Sequence, residues 1–228
     1  MKAMEIIEKL KTKAVFSVQD IERLAYCNND YAKQVLSRFS KRGLIKQVRR
    51  NLYTTQDDIS VIASNIIHPS YISFWYASYS LGYTEQIVNT IQVATTRKSK
   101  AIVFDGYTIK FIPIKHFFGF KKVHTDKGDV FIADDEKLLI DAFLRPEECG
   151  NFDEITKMFG CARIRKGRLV DYLKRVGSQS VTKRVGFLLE KTKGIDISGS
   201  MTLDRNYVNL NPFAGKCKTV NSKWRVRI

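Results

Sequence analysis

Apolar positions recur at helical spacing through the first forty residues and at strand spacing through the middle of the chain. Met4, Ile7 and Leu10 share one stripe of a helix over residues 4–12. Ser17 precedes Val18-Gln19-Asp20, which reads as an N-cap with an acid at the third helical position. Val18, Ile21 and Leu24 then give the helix that follows a face to bury. Cys27-Asn28-Asn29 is a polar turn in which either asparagine can cap the next helix. In that helix Ala32, Val35, Leu36 and Phe39 fall at i, i+3, i+4 and i+7, while Lys33, Gln34, Ser37, Arg38 and Lys41 fall on the opposite side. Gly43 is placed to end it in the left-handed region. A short strand over 44–48, a tight turn at Arg49-Arg50-Asn51 and a return strand over Leu52-Tyr53-Thr54 follow.

Beyond the polar run Thr54-Thr55-Gln56-Asp57-Asp58 the pattern changes. Asp57-Asp58 caps a helix with Ile59, Ile62, Ala63 and Ile66 on one face, stopped by His68-Pro69. Residues 71–83 predict a short strand and then a helix ending at Gly82. Strands are expected at 90–95, 101–104 and 107–112, the last two joined by an Asp105-Gly106 turn. Tyr107, Ile109 and Phe111 alternate with Thr108 and Lys110, as in a half-buried strand. A second hairpin should join 116–124 to 128–132. Asp134-Asp135-Glu136 then opens a helix buried through Leu138, Leu139, Ala142 and Phe143. Near the end, Leu169, Val170, Leu173 and Val176 mark one helix. Val181, Val185, Leu188 and Leu189 mark the next, with Lys183, Arg184 and Lys191 outside. The last residues alternate, Trp224, Val226 and Ile228 against Lys223, Arg225 and Arg227, as in an edge strand or arm.

This order predicts an α+β protein: an N-terminal winged helix-turn-helix over 1–56, then a mixed α/β domain over 57–228 with antiparallel hairpins and C-terminal helices. The second domain divides into a core at 57–160 and a basic extension at 161–228. The 228 residues are 44% hydrophobic, enough for a core and too much for a disordered polyelectrolyte. No apolar run is long enough to cross a bilayer, and the first residues have no secretory pattern. The four cysteines are scattered, so neither a zinc site nor a disulfide framework is expected, and a cytoplasmic location is.

Charge sharpens the picture because it is uneven. Residues 1–56 carry +7, residues 57–160 carry −3 and residues 161–228 carry +12, within a net +16. A cationic helix face followed by an arginine-tipped hairpin suits duplex DNA. Arg or Lys can address guanine and Gln or Asn adenine in the major groove, while the hairpin reaches phosphates or the minor groove. The candidate DNA contacts are Asn29, Lys33, Gln34, Ser37, Arg38 and Lys41 of the helix and Arg49, Arg50 and Asn51 of the hairpin. A second basic patch comprises Arg163, Arg165, Lys166, Arg168, Lys174 and Arg175. It is read either as a solvated helix surface or as a further polyanion contact.

No P-loop, GxSxG or HExxH occurs. His68, His116 and His124 have neither a nucleophile nor metal spacing, and Asp134, Asp135 and Glu136 are accounted for by the helix start they cap. The aromatic cluster Phe74, Trp75, Tyr76, Tyr79 and Tyr83 reads as core. No catalysis, metal or cofactor is expected.

Several segments, taken in order, resemble the AbiEi family of antitoxins from AbiE-type (type IV) toxin–antitoxin and phage abortive-infection systems. They are Phe16-Ser17 through Gly43-Leu44-Ile45, Val48-Arg49-Arg50-Asn51-Leu52-Tyr53, Leu81-Gly82-Tyr83-Thr84-Glu85-Gln86, Thr95-Thr96-Arg97, Asp135-Glu136-Lys137-Leu138-Leu139-Ile140-Asp141 and Lys183 through Glu190. The resemblance spans about residues 5–192. It implies a winged-helix domain that represses its own operon, and a C-terminal domain that counteracts a nucleotidyltransferase-like toxin without requiring stable contact with it. Its DNA would be a double-stranded operator, for which two copies on an inverted repeat would serve. Asn51 stands where a wing glycine is common and Tyr76 where a small hydroxyl residue is expected. Two other functions fit the same residues: a free-standing winged-helix regulator without a toxin, and a nucleic-acid-processing enzyme delivered by its N-terminal domain.

Overall fold

Residues 3–215 and 217–228 are described by a computed structural model. The protein is a mixed α+β fold that divides into two units. The first holds residues to Ile72 with Asn89–Pro113 and Lys122–Ile132, and the second holds Ser73–Val88, Ile114–Lys121 and Ala133–Ile228. The polar run at 54–58 joins two elements of the first unit rather than separating the units.

The first unit opens with α1 (Ala3–Lys11), β1 (Phe16–Ser17), α2 (Val18–Ala25), α3 (Asn29–Lys41), β2 (Lys46–Arg49) and β3 (Leu52–Thr54). Ile6, Ile7, Leu10, Phe16, Val18, Ile21, Ala32, Val35, Leu36, Phe39 and Ile45 make one core. In α1 the buried stripe runs through Ile6 rather than Met4, whose side chain is 65% exposed. Ile7 and Leu10 are buried as expected, so the apolar face keeps two of its three expected residues and exchanges only Met4 for Ile6. The strand expected from Leu44 starts at Lys46, because Leu44 is still engaged in closing α3: its N–H donates to Phe39 O at 3.0 Å while that of Gly43 donates to Ser40 O at 3.0 Å. β1, β3 and β2 form a three-stranded antiparallel sheet in that order.

Most of the rest of the first unit belongs to a six-stranded sheet in the order β6-β7-β5-β4-β9-β8. Its strands are β4 (Ser70–Ile72), β5 (Thr90–Thr95), β6 (Ile102–Phe104), β7 (Tyr107–Pro113), β8 (Phe120–Thr125) and β9 (Gly128–Ala133). The Asp105-Gly106 hairpin stands as expected, both residues at positive φ. The expected β6–β7 hairpin is antiparallel, and the sheet that holds it also contains parallel pairs. β5 runs parallel to β7, and β4 parallel to β9. Pattern along one strand records which face is buried and says little about which strand lies beside it. The hairpin expected from residue 116 begins at Phe120. Asp58 caps α4 (Ile59–Asn65) by accepting from Ser60 N at 2.8 Å and Val61 N at 3.2 Å.

The second unit contains α5 (Phe74–Ser80), α6 (Asp135–Leu144), α7 (Phe152–Cys161), α8 (Lys166–Val176) and α9 (Gln179–Lys193). A small sheet, β10 (Val208–Asn209), β12 (Val226–Arg227) and β11 (Val220–Asn221), completes it. Phe74 and Tyr76 are core, as expected, while Tyr79 keeps over a third of its surface exposed. Helix α7 is an element the periodicity did not predict. Its Ile155, Met158 and Phe159 are buried, and Asn151 caps it by accepting from Glu154 N at 3.0 Å. The tail is not an edge: β12 is the central strand of its sheet, parallel to β10 and antiparallel to β11. Trp224 and Val226 are buried as the alternation predicts, but Ile228 is exposed. Lys183, expected on the outside of α9, has no exposed surface. Its ammonium bonds Asp204 and the Asn206 carbonyl, groups contributed by the tail loop.

Candidate nucleic-acid interface

The approach to α3 is set by the caps that precede it. At the start of α2, Asp20 accepts from both Ser17 N and Ser17 Oγ at 2.8 Å and pairs with Lys13. Burial works against the Asp20 charge, but the hydrogen bonds from Lys13 and Ser17 outweigh it and hold the carboxyl below its ordinary 3.8. A carboxylate depressed in the folded state adds stability above its ordinary value, which is lost as pH falls through the folded one. Asp20→Ala should therefore cost about 1 kcal/mol at pH 7. The gap to the unsubstituted protein should narrow as pH drops below about 4, as read from urea melts at each pH.

The α2–α3 turn follows. Asn28 is the capping asparagine, its Oδ1 accepting from Tyr31 N at 3.0 Å, and Asn29 Nδ2 donates to Glu22 Oε1 at 2.6 Å. Ala32, Val35, Leu36 and Phe39 are buried, as expected. Their burial obliges the opposite face to point outward, and Asn29, Lys33, Gln34, Ser37, Arg38 and Lys41 are all exposed. Arg49, Arg50 and Asn51 are exposed at the β2–β3 turn, where Asn51 takes φ 62°. Asparagine tolerates that region better than most residues.

Between α3 and the hairpin runs a groove of about 280 Å³, lined by Lys33, Ser37, Ser40 and Lys41 on one side and Gln47 and Tyr53 on the other. Gln47 and Tyr53 face each other in register across β2 and β3. They line the groove although neither is among the candidates read from the sequence; their alternation with the buried Val48 and Thr54 is the signal that marks them. Tyr53 stacks on Phe16 with ring centroids 6.3 Å apart, which fixes the groove wall.

Not every cation here is free to meet a ligand. Lys46 pairs with Asp57 at 2.9 Å and Asp105 at 3.1 Å, and hydrogen bonds to these two carboxylates raise its pKa. Lys33 lies 3.9 Å from Asp30. Arg38, Lys41, Arg49 and Arg50 are exposed and make no ion pair among the described residues.

The second basic patch belongs to the other unit, where all six side chains are exposed. Two of these side chains are already engaged. Arg168 lies 3.6 Å from Asp134 and 3.9 Å from Glu136, and the Arg175 guanidinium sits 4.0 Å above the Phe118 ring. The backbone N–H groups of Arg163 and Arg165 donate to Asp135 at 3.4 Å and Glu136 at 2.7 Å. The acids that open α6 are thus spent on the α7–α8 connection, with Asp134 also accepting from Tyr172 at 2.9 Å. Burial and that bond push the Tyr172 hydroxyl up to about 12. Among the described residues no group of His, Cys, Asp and Glu is placed to hold a metal ion, and no helix is long and apolar enough to cross a membrane.

No protein-family model matches the chain, and no curated protein matches it.

Proposed function

We propose that residues 3–54 are a winged helix-turn-helix that binds duplex DNA, with α3 as the helix that enters the major groove. The observation that carries this reading is the outer face of α3, where exposed Lys33, Gln34, Ser37, Arg38 and Lys41 stand beside the Arg49-Arg50 turn. A polar, cationic helix with a basic hairpin alongside offers base-reading groups and phosphate contacts in one surface. The reading works by binding and needs no catalytic group, and a cytoplasmic location accords with it. In the wider chain we propose an antitoxin and autorepressor of the AbiE type, acting against a nucleotidyltransferase-like toxin. This rests on the ordered resemblance of residues 5–192. The second basic patch is assigned no DNA contact in this reading; within its own unit Arg168 faces Asp134 and Glu136, and Arg175 covers the Phe118 ring.

Titrating the protein onto the DNA upstream of its own gene tests the interface. Arg38→Ala should lose about 1–3 kcal/mol and relax base preference. Arg50→Ala should weaken binding to every sequence alike and reduce the salt slope by about one. If both variants match the unsubstituted protein across a salt series, α3 and the hairpin do not bind DNA. Co-expression with the adjacent gene, scored for growth, tests the antitoxin assignment separately.

A further inference from the structure

Tyr26 closes α2 in the left-handed conformation, at φ 50° and ψ 49°. A side chain there crowds the backbone, which is why glycine usually takes such positions. This chain follows that rule elsewhere: the left-handed residues after α3, α5, α8 and α9 are Gly43, Gly82, Gly177 and Gly194, with φ between 66° and 74°. Four other non-glycine residues among those described have positive φ, and each has a local compensation. Asn51 and Asp105 are hairpin-turn residues of the types that tolerate it. Phe74 is fully buried. The Arg225 guanidinium donates to the Leu203 and Asp204 carbonyls.

Tyr26 has no such return. Its side chain is 95% exposed, and it makes no side-chain hydrogen bond or ring contact among the described residues. A large aromatic group stands in solvent at a position where glycine would be easier, in the turn that delivers α3. Strain of this kind gathers at binding sites, where the offsetting contact is made with a partner. Tyr31, at the start of α3, is 48% exposed on the same approach.

We propose that Tyr26 is a DNA-backbone contact. This deepens the duplex-binding reading of α3 and rests on it. With α3 in the major groove, the turn before it lies at the groove edge, where phosphates and sugars are. The phenol O–H donates to a phosphate oxygen and the ring covers the adjoining sugar. The contact positions the helix and carries no base preference.

Tyr26→Gly separates this role from a structural one, because the two predict opposite signs. Removing the strained side chain should raise the melting temperature. Affinity should fall about tenfold, as expected for losing a hydrogen bond to a charged group, and equally for the gene's upstream duplex and a scrambled duplex of the same length. Tyr26→Phe should keep the original melting temperature and lose most of the same affinity. The proposal is overturned if Tyr26→Gly binds both duplexes like the unsubstituted protein, or if its melting temperature falls together with its affinity. Arg38→Ala, measured alongside, keeps the two ideas distinguishable. If Arg38→Ala weakens binding and Tyr26→Gly does not, only the tyrosine contact fails. If neither does, or the unsubstituted protein binds neither duplex, the reading of α3 fails with it.

Discussion

Asp141→Ala should lower the unfolding free energy by about 3–5 kcal/mol, measured by urea denaturation. The reason lies on α6, a helix buried almost all round through Leu138, Leu139, Ile140, Ala142 and Phe143. Lys137 and Asp141 sit one turn apart on it, paired, with neither side chain exposed to solvent. Ser73 Oγ donates to the other Asp141 oxygen at 2.8 Å, and the Lys137 ammonium lies 5.4 Å from the Phe118 ring centroid. Deleting the carboxylate leaves an ammonium in a dry site beside a hydroxyl that has lost its acceptor. Replacing both charges, Lys137→Met with Asp141→Leu, should recover more than half of the loss, since the desolvation cost of the pair is removed with it. A single variant as stable as the unsubstituted protein would mean that water reaches this pair.

Gly186→Ala is expected to cost about 3 kcal/mol, at the upper end for inserting one carbon into a packed core. A Cβ at position 186 would lie 2.1 Å from the Trp224 ring. The indole cannot readily move aside. It is buried, its Nε1 donates to Glu190 Oε2 at 2.5 Å, and its backbone N–H is held by Asn221 Oδ1 at 2.9 Å. Lys223 fixes Glu190 in turn, at 2.7 Å. Trp224→Leu makes room and carries its own loss, so the double variant should be less destabilised than the two single losses added, by about 1 kcal/mol or more. Additive losses would show that Gly186 and Trp224 do not meet as described.

Much of this architecture was legible in local sequence. The Ser17–Asp20 cap, the buried face of α3, the glycine at its end and the Asp105-Gly106 hairpin each depend on residues within a few positions of one another, and each stands as expected. The exposed DNA-binding candidates follow from the same fact, because burying Ala32, Val35, Leu36 and Phe39 leaves one orientation for Lys33, Gln34 and Arg38. Tyr26 carries no sequence signal, because its strain is a backbone angle and the Cys27-Asn28-Asn29 turn reads as complete without it.

The sequence by itself determined where most helices and strands form, which side of most of them is apolar, and how unevenly the charge is distributed, since those properties are set by periodicity, caps and composition. Only the tertiary structure decided which strands are neighbours, that β12 is central in its sheet, and that Lys183 is buried. Whether a lysine faces water depends on an acid or carbonyl brought to it from distant positions, here Asp204 and Asn206. No local pattern encodes that meeting.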